Sequence, residues 1–161
     1  IEPGERTASR PLPQEDDMEA RRILALTSKK NLTCCECRGA GTTDFWNGLN
    51  RDELDIFWYE LCENRIILFF DKAFKERLER LLAQQGITCE ATPDLAAVTL
   101  VGHNIWNDFA LVGEVRELLR DCDVVRVTHG TMHITFFMRQ ANEARALRLL
   151  HDRYVGKSEQ Q

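Results

Sequence analysis

The sequence predicts an α+β fold, and three observations carry that reading. The last third of the chain alternates apolar strand patterns and amphipathic helix patterns in the order strand, helix, strand, strand, helix. That order is a ferredoxin-like βαββαβ unit one strand short. A spare apolar run, Ile23 to Leu26, stands far upstream and can supply the missing strand, which would cover a sheet edge otherwise left bare. Between the two, from about Lys29 to Pro93, lies enough chain for a second small unit of similar type. The expected architecture is two ferredoxin-like units, one inserted into the other. The 161 residues are 43% hydrophobic and 29% charged, an ordinary composition for a folded globular chain.

Residues 1–19 read as a linker or arm. The stretch Ile1 to Asp17 holds three of the four prolines, no aromatic residue and no hydrophobic periodicity, and it implies a connection to something upstream. Ile23 to Leu26 is a buried strand closed by Thr27-Ser28-Lys29-Lys30, and Leu32 to Cys37 is a second strand. Gly39, Gly41 and Thr42-Thr43 then open a loop carrying Asp44, Phe45 and Trp46. Asn50 with Glu53 three residues on suits a helix start, and Leu54, Phe57, Trp58 and Leu61 follow at the spacing of one helical face, so residues 51–62 read locally as helix. Arg65 to Phe70 is a strongly apolar strand. Ala73 to Gln85 is an amphipathic helix with Phe74, Leu78, Leu81 and Leu82 inward, stopped by Gly86.

Ile87 to Ala91 is a short strand, and Pro93-Asp94 marks a turn into the strand Leu95 to Val101. Leu111, Val112, Val115, Leu118 and Leu119 define a helical face. Cys122 to Val127 and Met132 to Met138 form a strand pair across Thr128-His129-Gly130-Thr131. The last helix places Ala144, Leu147, Leu150 and Tyr154 on one face. The units are then 20–28 with 94–155 for the outer one and 29–93 for the inserted one, and 156–161 form a disordered tail.

Charge and cysteine usage exclude several classes of function. Twenty-one basic against 26 acidic residues leave a net charge of −5, so nothing is in excess to neutralise a phosphate backbone, and nucleic acid is not the expected partner. The longest apolar runs, such as Ile66 to Phe70, fall far short of a membrane span, and Glu2 and Glu5 stand where a signal peptide carries positive charge. A cytoplasmic protein with reduced thiols is the expectation. Cys34 and Cys37 have metal-knuckle spacing, but on a strand they point to opposite faces and no second such pair exists. No metal or cofactor is expected, and Cys62, Cys89 and Cys122 read as small core residues. His133 reads as a surface or edge residue, His151 as solvent-facing, and Trp46, Trp58 and Trp106 as core or interface residues rather than ligand platforms.

The runs RRILALTSKKNLTCCECRG, LAAVTLVGHNIW and VGEVRELLRDCDVVRVTHGTMHITFFMRQANEARALRLLHDRY, with the tail IEPGERTASRP before them, resemble the C-terminal regulatory region of aspartate kinases. The resemblance covers roughly residues 20–155 and rests on order and spacing rather than on one motif. It implies tandem ACT units, one inserted into the other. It further implies a homodimer through those units, an upstream kinase domain, and an end-product amino acid, lysine or threonine, bound at ACT interfaces for feedback inhibition. No phosphate-binding loop or catalytic constellation occurs in this chain, so a small ferredoxin-like enzyme is the weakest class. The other alternative is an assembly module that senses nothing.

An amino-acid pocket needs backbone N–H groups for the carboxylate and side-chain oxygens for the ammonium. By the resemblance, the effector loop of the inserted unit carries Thr42 and Asp44, with Asp55 and Cys62-Glu63 near the family's Asp and Ser-Glu positions and Cys62 replacing the serine. In the outer unit the corresponding residues are Asn104 and Asn107, with His129 and Thr131 at the next strand pair. Asp44 and Asp55 read equally well as solvated surface acids. Only about a dozen residues separate Arg38 from Leu54, so the inserted unit is expected to be degenerate, with either its helix shortened or its second strand missing.

Overall fold

The spare strand does pair with the C-terminal third. In the computed structural model, which describes residues 23–39, 43–105 and 107–155, Ile23 lies opposite Gly102, Leu26 opposite Leu100 and Lys29 opposite Ala97. The elements run β1 (Ile23–Arg38), α1 (Thr43–Arg51), β2 (Ile56–Cys62), β3 (Arg65–Asp71), α2 (Lys75–Gln84), β4 (Thr88–Gly102), α3 (Phe109–Leu118), β5 (Val124–His129), β6 (His133–Arg139) and α4 (Glu143–Leu150). One antiparallel six-stranded sheet orders them β2-β3-β1-β4-β6-β5.

Two expected breaks in the chain are not breaks. The strands expected at Ile23–Leu26 and Leu32–Cys37 are one strand, β1, and those expected at Ile87–Ala91 and Leu95–Val101 are one strand, β4. The turn residues that suggested an interruption instead form irregularities inside a long two-stranded ribbon. Asn31 takes φ 62° and Asp94 φ 58°, and the β1–β4 register slips on both sides of the Leu32–Leu95 pair. Such bulges bend a strand while keeping it in its sheet. Gln140 fastens the first one: its Oε1 accepts from the Asn31 amide at 2.8 Å and its Nε2 donates to Asn31 Oδ1 at 3.3 Å.

The ribbon gives the sheet two halves. The outer half is the start of β1, the end of β4, β5 and β6, with α3 and α4 packed over Val98, Leu100, Ile134, Phe136 and Met138. The inserted half is the end of β1, β2, β3 and the start of β4, with α1 and α2 packed over Cys35, Cys37, Ile66, Leu68 and Phe70. The opposite faces of the two halves meet each other. Leu32, Ile67, Phe69, Leu95 and Phe137 form a third core there, in which the rings of Phe69 and Phe137 stack at 3.9 Å. Arg126 of β5 crosses this layer, donating to Glu60 of β2 at 2.7 Å and to Glu36 of β1 at 3.5 Å.

Residues 51–62 are not a helix. The helix lies earlier, at Thr43–Arg51, and Ile56–Cys62 form a strand antiparallel to β3. The helix is short, as the spacing requires, but the second strand is present, so the inserted half holds the full strand-helix-strand-strand-helix-strand series. At the C-terminal end Leu150 is buried and Leu147 and Tyr154 pack against the outer core as expected, but Ala144 does not join them. Glu143, Ala146 and Leu150 are buried while Ala144 is exposed. Burial of the Glu143 carboxylate is matched by Ser28 Oγ, which donates at 3.0 Å, and by Lys30 Nζ at 3.2 Å.

Candidate functional site

In each half, the loop leaving one of the two central strands and the turn of the neighbouring hairpin fall at the same end of the sheet. In the inserted half β1 ends at Arg38, opposite Arg65, which in turn lies opposite Cys62. The Gly39 amide donates to the Asn64 carbonyl at 3.4 Å, tying the loop before α1 to the β2–β3 turn. Asp44 in the first turn of α1, Cys62 at the end of β2 and Glu63 in the turn therefore share this end, and all are exposed. Thr42 lies outside the described residues.

Asp55 is not with them. It sits just before β2, whose first residue Ile56 pairs with Phe70 at the far end of β3. The seven residues of β2 put roughly 20 Å between Asp55 and Cys62 at the rise of an extended strand. Cys62 is exposed and Cys89 half-buried, so of the three cysteines expected in the core only Cys122 is fully there.

The outer half has the equivalent arrangement at the opposite end of the ribbon. Val101 pairs with His133 and the Gly102 amide donates to the Met132 carbonyl at 2.9 Å. This brings Asn104 and Asn107 of the β4–α3 loop to the same end as His129 and Thr131 of the β5–β6 turn, all four exposed. Asn104 takes φ 57°, the left-handed conformation that asparagine tolerates. The helix start here is already served by a carboxylate of the chain itself: buried Asp108 accepts from the Leu111 amide at 3.0 Å. A ligand carboxylate would compete with that cap.

Three cysteines form a contiguous thiol group under α1 and α2. Cys37 lies directly opposite Cys89, and Cys35 stands two residues along on the same face of β1. The neighbouring thiols of Cys35 and Cys37 pull the Cys89 pKa down, whereas the Cys89 sulfur and burial push those of Cys35 and Cys37 up. Cys34, on the other face, is pushed up to about 11 mainly by burial. Among the described residues no group of three or more His, Cys, Asp or Glu is placed to hold a metal ion, and no helix is long and apolar enough to cross a membrane.

Sequence reasoning passed over the residues at the inner layer. Arg126, Glu36 and Glu60 gave no signal beyond ordinary surface charge. Trp58 and His133 stack edge to face at 5.8 Å, and His133 is half-buried on a strand flanked on both sides rather than at an edge. His151 is exposed, as expected. Trp46 and Trp58 are both half-buried, and Trp106 lies outside the described residues.

No protein-family model matches the sequence, and no curated protein matches it. Among solved structures, the fold is that of the regulatory regions of aspartokinases, both separate regulatory subunits and C-terminal regulatory domains. E. coli aspartokinase III in complex with aspartate and ADP, in the R-state, aligns at a TM-score of 0.70 and 17% identity over 82% of this chain and 33% of its own. The same enzyme with lysine and aspartate, in the T-state, aligns at 0.67 and 17% over 84% of this chain and 34% of its own. The ligand-free regulatory subunit of aspartate kinase from Thermus thermophilus aligns at 0.69 and 12% over 82% of this chain and 98% of its own. The chain thus spans a third of the E. coli enzyme and nearly all of the Thermus subunit. At these identities the likeness is one of fold.

Proposed function

We propose that this chain is the amino-acid-sensing regulatory region of an aspartate kinase. Its two ACT-type units would be residues 20–28 with 94–155 and residues 29–93, its effector lysine or threonine, its partners a second copy and a kinase domain. The observation that carries the reading is the fold shared with a separately folded regulatory subunit over 98% of that subunit. Support comes from the fold shared with E. coli aspartokinase III in its T-state complex with lysine and aspartate and from the gathering of Asp44, Cys62 and Glu63 at one loop end. Asp44 and Glu63 supply the carboxylates that an effector ammonium needs.

Thermal unfolding of the chain with each of the twenty amino acids tests this. Lysine or threonine alone should raise the melting temperature, because a ligand binding only the folded state adds about 2.7 kcal/mol at a hundredfold excess over its Kd. The substitutions D44N and E63Q should abolish the rise, and N104A should not.

One observation favours an assembly module instead. Among the described residues no strand pairs with the outer edge of β2, and Tyr59 and Leu61 of that strand are 56% and 61% exposed, which suits strand-to-strand pairing with a second copy. A melting temperature indifferent to all amino acids but rising with protein concentration would select that reading.

A further inference from the structure

Three of the six cysteines meet near the loop end of the β1–β4 ribbon, on the face covered by α1 and α2. Cys37 of β1 and Cys89 of β4 are direct partners in the antiparallel register. Their side chains leave the sheet on the same face, with Cβ atoms about 4.5–5.5 Å apart at ordinary ladder spacing. A disulfide takes Cβ atoms about 3.5–4.5 Å apart and Cα atoms about 4.4–6.8 Å apart. The two ranges meet, so a bridge between Cys37 and Cys89 closes with only a small approach of the strands. Cys35 lies opposite Ala91 instead, diagonal to Cys89, where ladder spacing is about 7–8 Å.

The remaining cysteines are out of range. Cys34 joins the inner core on the other face, Cys122 sits in the core of the outer half, and Cys62 is on β2, three strands from β4 in the sheet order. Exposure separates the members of the trio. Cys35 and Cys37 are 2% and 0% exposed, whereas Cys89 is half-buried, so a reagent arriving from solvent meets Cys89 first. The neighbouring thiols also favour its ionised form, and the thiolate is the nucleophilic form of cysteine.

We propose that Cys89 and Cys37 form a reversible oxidation site, at which a hydroperoxide converts the open pair into a cross-strand disulfide. The Cys89 thiolate attacks one oxygen of hydrogen peroxide, the O–O bond breaks, hydroxide leaves, and Cys89 becomes a sulfenic acid. The Cys37 sulfur then attacks the Cys89 sulfur and displaces its hydroxyl, which takes the Cys37 proton and departs as water. The two sulfurs together give up two electrons, and the peroxide oxygens accept them. A small dithiol reverses the change by exchange and is itself left as a disulfide. The bridge would join the two ends of the segment that carries α1, β2, β3 and α2. A cross-link of that kind stabilises mainly by constraining the unfolded chain. The site rests on the thiols alone and not on the effector assignment.

The test treats the reduced full chain, at low protein concentration, with a small excess of hydrogen peroxide, followed by alkylation in denaturant. Tryptic peptide masses should show residues 31–38 joined, within one chain, to the peptide carrying Cys89, with fragmentation placing the bond at Cys37 and dithiothreitol undoing it. The oxidised chain should melt a few degrees above the reduced one. C89S, a change at a half-buried position, should lose both the joined peptide and the melting shift. C37A should lose the joined peptide and leave Cys89 to be carried on to the sulfinic acid, and C35A should keep the bridge. The proposal is overturned by six thiols that still alkylate after peroxide, by a bridge that persists in folded C37A, or by oxidation confined to the exposed Cys62. A chain that answers lysine or threonine but forms no bridge also overturns it while supporting the effector reading, so the two fail separately.

Discussion

Asp71 at the end of β3 shows how one carboxylate can serve two ends of a turn. Its Oδ1 accepts from the Ala73 amide at 2.9 Å, capping the short helical turn before α2, and its Oδ2 pairs with Lys29 at 2.9 Å. These contacts hold its pKa below the ordinary aspartate value, the backbone amide contributing most and Lys29 next. A depressed folded pKa contributes stability that is present above the unfolded value of roughly 3.9 and is lost as the pH falls through the folded value. D71N should therefore melt below the wild type at neutral pH, and the gap should close as the pH is lowered from about 4 toward 2. Parallel thermal melts across that range check it. The sequence showed an Asp before a helix. It did not show that Lys29, from another strand, completes the arrangement.

At the scale of elements, Asn31 separates an intact strand from a broken one. Its φ of 62° suits Asn or Gly and opposes β-branched residues. N31V should destabilise the chain by about 1–3 kcal/mol, while N31G, which keeps the amide bonded to Gln140, should cost distinctly less. Urea unfolding of the two variants distinguishes a conformational requirement from a mere loss of the side-chain amide. The same physics explains the misread strands. Polar residues such as Ser28, Lys29, Lys30 and Asn31 locally signal a chain reversal, yet here they continue a strand because Gln140 and β4 supply partners from over sixty residues away. The helix expected at 51–62 was a bulge in disguise. With Phe57 inserted, two consecutive aromatic residues face inward, and with Leu54 and Leu61 they imitate the spacing of a helical face.

At the scale of the molecule, the inner layer joins the two halves. Its apolar part is the Phe69–Phe137 stack, and such pairs add about 0.5–1.5 kcal/mol beyond their burial. Its polar part is Arg126, whose guanidinium reaches Glu60 and Glu36 and lies over the Phe69 ring at 6.0 Å. R126A should cost about 1.5–3 kcal/mol, the range for hydrogen bonds to charged groups. R126K should recover only part of this, because an ammonium lacks the planar fork that spans both carboxylates. Chemical denaturation of both variants, with E60Q as the third corner, measures it.

Local pattern alone determined the α+β class, the helices at 75–84 and 109–118, the β5–β6 hairpin and the need for an upstream strand, because hydrophobic period and turn chemistry are written within a dozen residues. Asn104, Asn107, His129 and Thr131, named from the resemblance, share one end of the sheet because β4 and the β5–β6 hairpin pair there. Tertiary structure decided the rest: it made two long bent strands from four short signals, separated Asp55 from Cys62, and folded the half-sheets together so that Trp58 meets His133 and Phe69 stacks on Phe137. Those outcomes rest on pairings between distant segments, and their free energy depends on partners that no local window contains.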